Sequence, residues 1–308
     1  MKRLLAALAI LCAPIVAHSA DNPDWAYPVT PQVPAPDDTV KIQIPGSDKS
    51  YTRKQIGDGF NPPDWFPGEH PAMPPVVANG RPPAVRACAL CYRPTGDGHP
   101  ESASLTNLNE AYFVKAMQQF KQNLRKGIRA NTMVAIAATM TDAEVREAWA
   151  YYSKLKPTVR TKVVETDMVA KSVVQEGGMR FLTADGGTEP IGQRIIELPG
   201  DDQQARYRNA HVGFTAYVPT GSIEKGKALA SSMDKTVTCA ICHGPGLKGL
   251  GEVPSLAGRS PMYTFRQLND MKTGNRSGEA MALMRQVVAN LTDDDMIALS
   301  AYVASLEP

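Results

Sequence analysis

The sequence predicts a mainly α-helical protein of two tandem helical modules, with a small β-containing middle segment and a proline-rich N-terminal arm. The first observation behind this fold class is a gapless internal repeat, in which Cys88-Ala-Leu-Cys91 returns 151 residues later as Cys239-Ala-Ile-Cys242. The second is that each copy contains helix-start signals followed by apolar residues at helical spacing. The third is that β-branched runs separate the copies and many prolines precede them.

The repeat sets the expected module boundaries. At the same offset it pairs Tyr112 with Tyr263, Arg125 with Arg276, Met133 with Met284, Thr141 with Thr292, Tyr151 with Tyr302, and Pro157 with Pro308. A unit of about 70 residues suits a small compact module better than a solenoid repeat. We therefore expect module one at residues 81–157 and module two at residues 222–308.

The beginning of the chain carries an export signal. Lys2 and Arg3 precede an apolar run from Leu4 to Val16, and small residues follow it up to Ala20. This pattern is typical of a secretory signal peptide. We therefore expect residues 1–20 to be removed and the mature protein to be periplasmic.

The arm that follows, residues 21–80, is rich in proline, which favours an extended wrapping segment over helices. Its aromatic residues Trp25, Trp65 and Phe66 indicate that it packs onto a folded domain and is not a free linker. The segment between the modules, residues 158–221, contains β-branched or alternating runs. These predict short strands at 159–164, 193–198 and 213–218.

Each module carries helix-start signals. Thr141 with Glu144 in module one, and Thr292 with Asp295 in module two, predict a capping box at the start of the last helix. Ser260, followed directly by proline, predicts the start of an earlier helix in module two. These signals fall at equivalent places, so both modules are expected to be helical.

The main chemical signal is the stretch Cys239-Ala-Ile-Cys242-His243. Two cysteines with this spacing, followed at once by histidine, form the attachment site of a covalent c-type haem. The thiols add across the two haem vinyl groups, and the adjacent imidazole becomes the proximal iron ligand. The sequence therefore predicts a haem protein that carries electrons.

The motif, the loop after it and the helix order resemble the class I c-type cytochromes, in the tandem arrangement of dihaem periplasmic cytochromes. The resemblance covers both modules, about half of the chain. It implies that Met284, in the loop before the last helix, binds the distal face of the iron. Met281 is a nearby competitor, but its repeat partner is Ala130, which favours Met284.

The resemblance also implies roles around the iron ligands. The carbonyl of Pro254 is expected to orient the proximal imidazole of His243. Arg276 and its repeat partner Arg125 resemble the arginines that bind haem propionates, since guanidinium groups pair well with carboxylates. A solvated surface arginine is the alternative for both positions.

Module one departs from the family pattern. Cys88 and Cys91 provide both thiols, but Tyr92 stands where the histidine is expected, and Ala103 stands where module two has Pro254. The sequence therefore predicts one haem c in module two and leaves the haem content of module one open.

Three hypotheses for module one remain. In the first it holds no haem, and its two cysteines stay as a dithiol or a disulfide. In the second, haem is attached and the phenolate of Tyr92, or His99, binds the iron, with Met133 as the opposite ligand. In the third, a histidine from elsewhere, such as His70, takes the proximal position.

Composition excludes several other functions. Removal of Lys2 and Arg3 with the signal peptide leaves 31 basic and 31 acidic side chains, so no basic field for nucleic acid exists. No other run approaches the roughly 20 apolar residues that a membrane span needs. All cysteines after Cys12 lie in the two pairs, which leaves none for a disulfide framework.

The expected function is periplasmic electron transfer by an electron carrier that is not itself an enzyme. A dehydrogenase is the expected donor, and a terminal oxidase or another cytochrome the expected acceptor. Two alternatives remain open. Module one could hold an unusually ligated haem that acts on a small molecule such as peroxide, or it could serve only as a scaffold or sensor domain.

Overall fold

The structure is a computed structural model that describes residues 22–31, 39–128 and 130–308. The predicted signal peptide, residues 1–20, lies outside the described residues. The helices are α1 Arg53–Ile56, α2 Pro75–Ala78, α3 Cys88–Tyr92, α4 Glu110–Lys121, α5 Ala130–Thr139, α6 Asp142–Tyr152, α7 Asp202–Arg206, α8 Ser222–Ser231, α9 Ala240–His243, α10 Pro261–Thr273, α11 Ala282–Val288 and α12 Asp293–Ser305. The strands are β1 Thr161–Glu165, β2 Met168–Ala170, β3 Ser172–Val174, β4 Arg180–Leu182, β5 Thr188–Pro190, β6 Ile196–Pro199 and β7 Phe214–Val218. The mainly α-helical fold class, with a smaller β component, is confirmed.

The two modules share one backbone trace at the offset of 151 residues. Helices α3 to α6 of module one correspond in order to α9 to α12 of module two. Three turns with left-handed backbone also coincide. The matched positions and their φ angles are Arg93 (62°) with Gly244 (73°), Asn107 (57°) with Gly258 (72°), and Asn123 (54°) with Gly274 (82°). Module one therefore keeps turns that in module two are made by glycine, the residue best suited to them.

Module two is held together by the crossing of its first and last helices. Helix α8 packs against α12 at Gly226, where an added Cβ atom would lie 2.0 Å from the carbonyl oxygen of Ala298. Helix α12 begins at the predicted capping box, in which the Thr292 side chain accepts from the Asp295 N–H. The backbones can approach this closely only because position 226 has no side chain.

Module one has an equivalent core in which large and small residues occupy different positions. Tyr152 on α6 is fully buried and takes the position of Val303 in module two. An added Cβ at Gly96 would lie 2.7 Å from the Tyr152 ring, and the counterpart of Gly96 in module two is the buried Leu247. A large and a small residue have thus exchanged places between the two cores, which conserves packed volume.

The middle segment forms the predicted β structure. Strand β7 lies at the centre of a three-stranded sheet, parallel to β1 and antiparallel to β6. These strands fall within a few residues of the three predicted runs. The antiparallel pairs β2 with β5 and β3 with β4 were not predicted from the sequence.

The arm packs onto the folded part of the chain. Trp25 contacts the Phe265 ring of module two with centroids 4.6 Å apart, and the Tyr27 hydroxyl donates to Asp270 at 2.9 Å. Farther along, the Trp65 indole donates to the Tyr207 carbonyl at 2.7 Å. The described part of the arm is mostly irregular, as expected, but it includes the short helices α1 and α2, and α2 contributes to the core of module one. Within the described ranges, no helix has the length and apolar character that a membrane crossing requires.

The modules meet along a pseudosymmetric seam. Arg125 and Arg276 pair there as an antiparallel bridge, so that each module presents the same position to the other. A buried ion pair reinforces the seam, because both Nη atoms of Arg266 contact the Glu101 carboxylate at 2.9 and 3.1 Å. The equivalent faces of the two modules are therefore turned towards each other.

Candidate haem site

The attachment motif of module two lies on a short helix that begins the site. Cys239 caps helix α9 and is half-buried, Cys242 is exposed, and both thiols are free. His243 ends the helix, and Gly244, with φ of 73°, turns the chain away. Both thiols and the imidazole therefore extend from a single helical turn, as attachment of one haem requires.

His243 is held in the orientation that an iron ligand needs. Its Nδ1 atom lies 2.8 Å from the carbonyl oxygen of Pro254, the contact that the resemblance implies. A carbonyl can only accept, so Nδ1 carries the proton and Nε2 presents its lone pair. Burial lowers the pKa of His243 and the charge of Arg276 lowers it further, although the bond to Pro254 opposes this. The imidazole is therefore held neutral, the form that binds metals.

The methionines of module two occupy different environments. Met284 on α11 is partly buried and packs against the same core as Cys239. Met281 is buried within that core, with 8% of its surface exposed. Met281 therefore serves as core packing, whereas Met284 is the less enclosed of the two methionines.

A cationic cluster lies on the seam beside this site. Arg276 and Arg125 are both buried, and the Nη2 atom of each donates to the Tyr112 hydroxyl, at 3.2 and 3.3 Å. The Nε atoms of both arginines have no hydrogen-bond partner among the described residues. Buried unpaired donors are rare in proteins. Haem propionates, as carboxylate acceptors, fit these positions, so the residues of module two fit the haem that the sequence predicts.

The comparisons with known proteins agree with this geometry. The cytochrome c family model matches residues 223–307. Cytochrome c-554(548) of Halomonas halodenitrificans is 35% identical over 79 residues, which are 25% of this chain and 95% of that protein. The chain belongs to the cytochrome c family. Covalent haem c is its cofactor, and electron transfer is its function.

Two further similarities extend beyond module two of this cytochrome. A thiosulfate dehydrogenase electron acceptor of Thiomonas intermedia is 27% identical over 227 residues, covering 73% of this chain and 80% of that protein. The structure of a thiosulfate dehydrogenase from Marichromatium purpuratum superimposes with a TM-score of 0.50 and 26% identity. The match covers 74% of this chain and 38% of that one. None of these relatives is named for a reaction with peroxide, so the comparisons do not support that alternative.

Module one of this cytochrome has a different site. Tyr92 ends helix α3 in the position of His243, but its hydroxyl donates directly to the Met133 sulfur at 3.4 Å. Burial, together with the thiols of Cys91 and Cys88, raises the pKa of Tyr92 well above its ordinary value. Burial likewise raises the pKa of Cys88 to about 12. Burial therefore favours the protonated phenol of Tyr92 and the protonated thiol of Cys88.

The other histidines proposed for module one have protein partners. The ring of His70 contacts Asp64 through Nε2 at 3.1 Å, and Pro71 and Tyr151 through Nδ1 at 2.9 and 3.1 Å. The hydrogen bond to Asp64 raises the pKa of His70. An imidazole with both nitrogens engaged has no lone pair for iron. His99 accepts from the Glu101 N–H at 3.2 Å, within its own turn.

The sequence analysis missed Tyr112 as a site residue. It lies on α4 of module one, yet it accepts hydrogen bonds from arginines of both modules. Burial alone would raise the pKa of Tyr112, but the guanidinium groups of Arg276 and Arg125 more than offset this and lower it. The only sequence signal for Tyr112 was its pairing with Tyr263 in the repeat. That pairing does not reveal that the two modules meet at Tyr112.

Proposed function

We propose that module two, residues 222–308, binds haem c through thioether bonds from Cys239 and Cys242, with His243 and Met284 as iron ligands. The observation that carries this proposal is the 2.8 Å contact between His243 Nδ1 and the Pro254 carbonyl, which leaves Nε2 for the metal. Bound haem would supply one-electron exchange between ferric and ferrous iron. Two protein ligands would saturate the iron, which suits an electron carrier better than an enzyme that binds a substrate.

The side chains around this site prepare it for that exchange. The core of module two packs against Cys239 and Met284 and shields them partly from water. Arg276, buried and cationic, stabilises the extra negative charge of the reduced state. The packed core and the buried Arg276 hold the same positions before and after the electron arrives, so the protein rearranges little during electron transfer.

The carrier works in the periplasm after residues 1–20 are removed, and a dehydrogenase is its electron donor. Relatives named as electron acceptors of thiosulfate dehydrogenase support a thiosulfate-oxidising donor. A terminal oxidase or another cytochrome receives the electrons. Exposed apolar side chains lie within a few residues of the motif and of Met284; they are Ile241, Leu250 and Leu283. Exposed apolar side chains of this kind suit the small, transient contacts of redox partners.

The domain boundaries are part of the same proposal. Module one spans residues 81–157, the β-containing segment spans 158–221, and the arm spans 21–80. The separate apolar cores support the division between the two modules. Each core also takes in residues from outside its module: Val76 and Val77 of the arm in module one, and Ala26, Ile195 and Val218 in module two.

The decisive experiment has two parts. The mature protein is purified from cells with working haem attachment, and its peptides are mapped by mass spectrometry. We expect haem on the peptide that contains Cys239 and Cys242. Electron transfer is then followed by stopped-flow absorption after mixing with a thiosulfate dehydrogenase and thiosulfate. Ile241→Lys should slow the reduction several-fold without changing the haem spectrum.

A matched control separates docking from folding. Val173 is exposed on strand β3 of the middle segment, with 43% of its surface accessible. Val173→Lys should leave the rate of reduction unchanged. Absence of haem from the Cys239 peptide would overturn the proposal as a whole. Equal rates for all three proteins would overturn the docking surface alone.

A further inference from the structure

The two axial positions of module one contact each other directly. The Tyr92 hydroxyl donates to the Met133 sulfur at 3.4 Å, and these residues are the repeat partners of His243 and Met284. A metal held between two ligands separates them by the sum of two bonds of about 2 Å each. The hydroxyl and the sulfur lie closer together than that, so the position between them is closed.

The length of the tyrosine side chain explains this closure. Backbone bonds show that α3 and α9 place their last residues alike, because Gly98 N–H donates to Tyr92 and Gly249 N–H donates to His243. A phenol carries its oxygen much farther from Cβ than an imidazole carries Nε2. From the same starting point, the Tyr92 ring therefore extends into the volume that the iron would need.

The rest of module one fits a site that is closed to haem. Ala103 replaces Pro254, so the proline whose carbonyl orients the imidazole in module two has no counterpart. Tyr92 and Cys88 pack against the apolar core of module one. Together these residues do not fit a bound haem.

Arg125 of module one also resembles a haem contact, since its buried Nε has no partner among the described residues. However, Arg125 lies on the seam, paired with Arg276, and both donate to Tyr112. Arg125 can therefore serve the haem of module two from the opposite side of the seam. It does not require a second haem.

We propose that Tyr92 closes the site of module one to haem, so that the chain carries a single haem. Module one then serves to cover the face of module two that lies on the seam. The proposal rests on the proposed function in one respect, namely that module two holds haem. Cys88 and Cys91 then remain free of thioether bonds. The tandem arrangement is kept for its contacts across the seam and not for a second electron site.

The test counts haems and thiols in the full mature chain. We expect the intact mass and the haem-to-protein absorption ratio to give one haem for the wild type. After unfolding with a reductant, alkylation should modify two cysteines, Cys88 and Cys91. Two haems and no alkylated cysteine would overturn the proposal. No haem at all would instead overturn the proposed function, so the two failures are distinguishable.

Two variants test the role of Tyr92 itself. Tyr92→His restores the attachment motif and removes the long side chain, so we expect it to carry two haems. Tyr92→Phe keeps the ring without the hydroxyl and should carry one. Circular dichroism shows whether each variant is folded. A folded Tyr92→His protein that still carries one haem would show that Tyr92 does not close the site.

Discussion

Tyr112 of module one and Arg276 of module two are joined across the seam by a 3.2 Å hydrogen bond from Nη2 to the phenol oxygen. Arg276 also donates through Nη1 to Gln267 of its own module at 2.8 Å, while its Nε has no partner among the described residues. The guanidinium is thus fixed by both modules and keeps one unpaired donor. Under the proposed function, module one therefore contributes to the haem environment of module two.

Replacement of Arg276 should lower the reduction potential of the haem. The cation stabilises the reduced state, which carries one more electron, so Arg276→Gln removes a favourable interaction of about 1 kcal/mol, or roughly 40 mV. Spectroelectrochemical titration measures the shift. Arg146→Gln is the control, because this arginine is exposed on α6 and its charge is screened. An unchanged potential for Arg276→Gln would contradict the assignment of this side chain to the site.

Met284 should be the sulfur ligand of the iron. Met284→Ala is expected to abolish the sulfur-to-iron charge-transfer band of the oxidised protein, to lower the reduction potential, and to let carbon monoxide bind the reduced form. Visible absorption spectra record the band and the binding of carbon monoxide, and spectroelectrochemical titration gives the potential. Met281→Leu, a substitution of similar volume in the core, should leave the spectrum intact. If Met281→Leu loses the band and Met284→Ala retains it, the two methionines have been assigned the wrong way round.

Gly226 should be required for the stability of module two. Its missing side chain allows α8 and α12 to meet, since a Cβ would lie 2.0 Å from the Ala298 carbonyl oxygen. Gly226→Ala is therefore expected to lower the free energy of unfolding by about 1–3 kcal/mol. Urea titration followed by circular dichroism measures this. Gly68→Ala, where the added atom meets nothing within 4 Å, should be close to neutral.

Glu197 should make the stability depend on pH. Burial raises the pKa of Glu197 from 4.5 to about 7, although hydrogen bonds from Ser260 and Met262 favour the charged form. Because the folded state holds the proton more tightly, this contribution is fully present below pH 4.5 and is lost as the pH rises through 7. The free energy of unfolding should fall by up to about 3 kcal/mol across that window.

Denaturant titrations at several pH values test this expectation. Glu197→Gln keeps an amide oxygen as acceptor for Ser260 and Met262 but cannot titrate. Its unfolding free energy should therefore lose the part of the pH dependence between 4.5 and 7 that Glu197 contributes. The same slope in the wild type and in Glu197→Gln would show that another group is responsible.

Local signals in the sequence predicted much of the fold. The capping boxes at Thr141 and Thr292 predicted both final helices, because the two partners lie only three residues apart. The parallel pairing of β1 with β7 was not predicted, since Thr161 meets Phe214 across a long stretch of chain. Periodicity within a strand shows that it forms but does not identify its neighbour.

The residues of the candidate site likewise include some that the sequence predicted and some that it could not. Cys239, Cys242 and His243 are recognisable because attachment chemistry fixes their spacing along the chain. Tyr112 could not be recognised, because its role depends on how two modules meet. Closure of the first site by Tyr92 could not be inferred from the sequence, because the proposal depends on the distance from the Tyr92 hydroxyl to the Met133 sulfur.

The matched left-handed turns of the two modules, from Arg93 and Gly244 to Asn123 and Gly274, have a consequence for how such a protein can change. Under the proposal that Tyr92 closes the first site, side chains on this shared backbone trace decide whether a module loads haem. A few substitutions would then change the haem content of a module while its fold is kept. Because the offset is 151 residues throughout, each position of one module can be compared directly with its equivalent in the other.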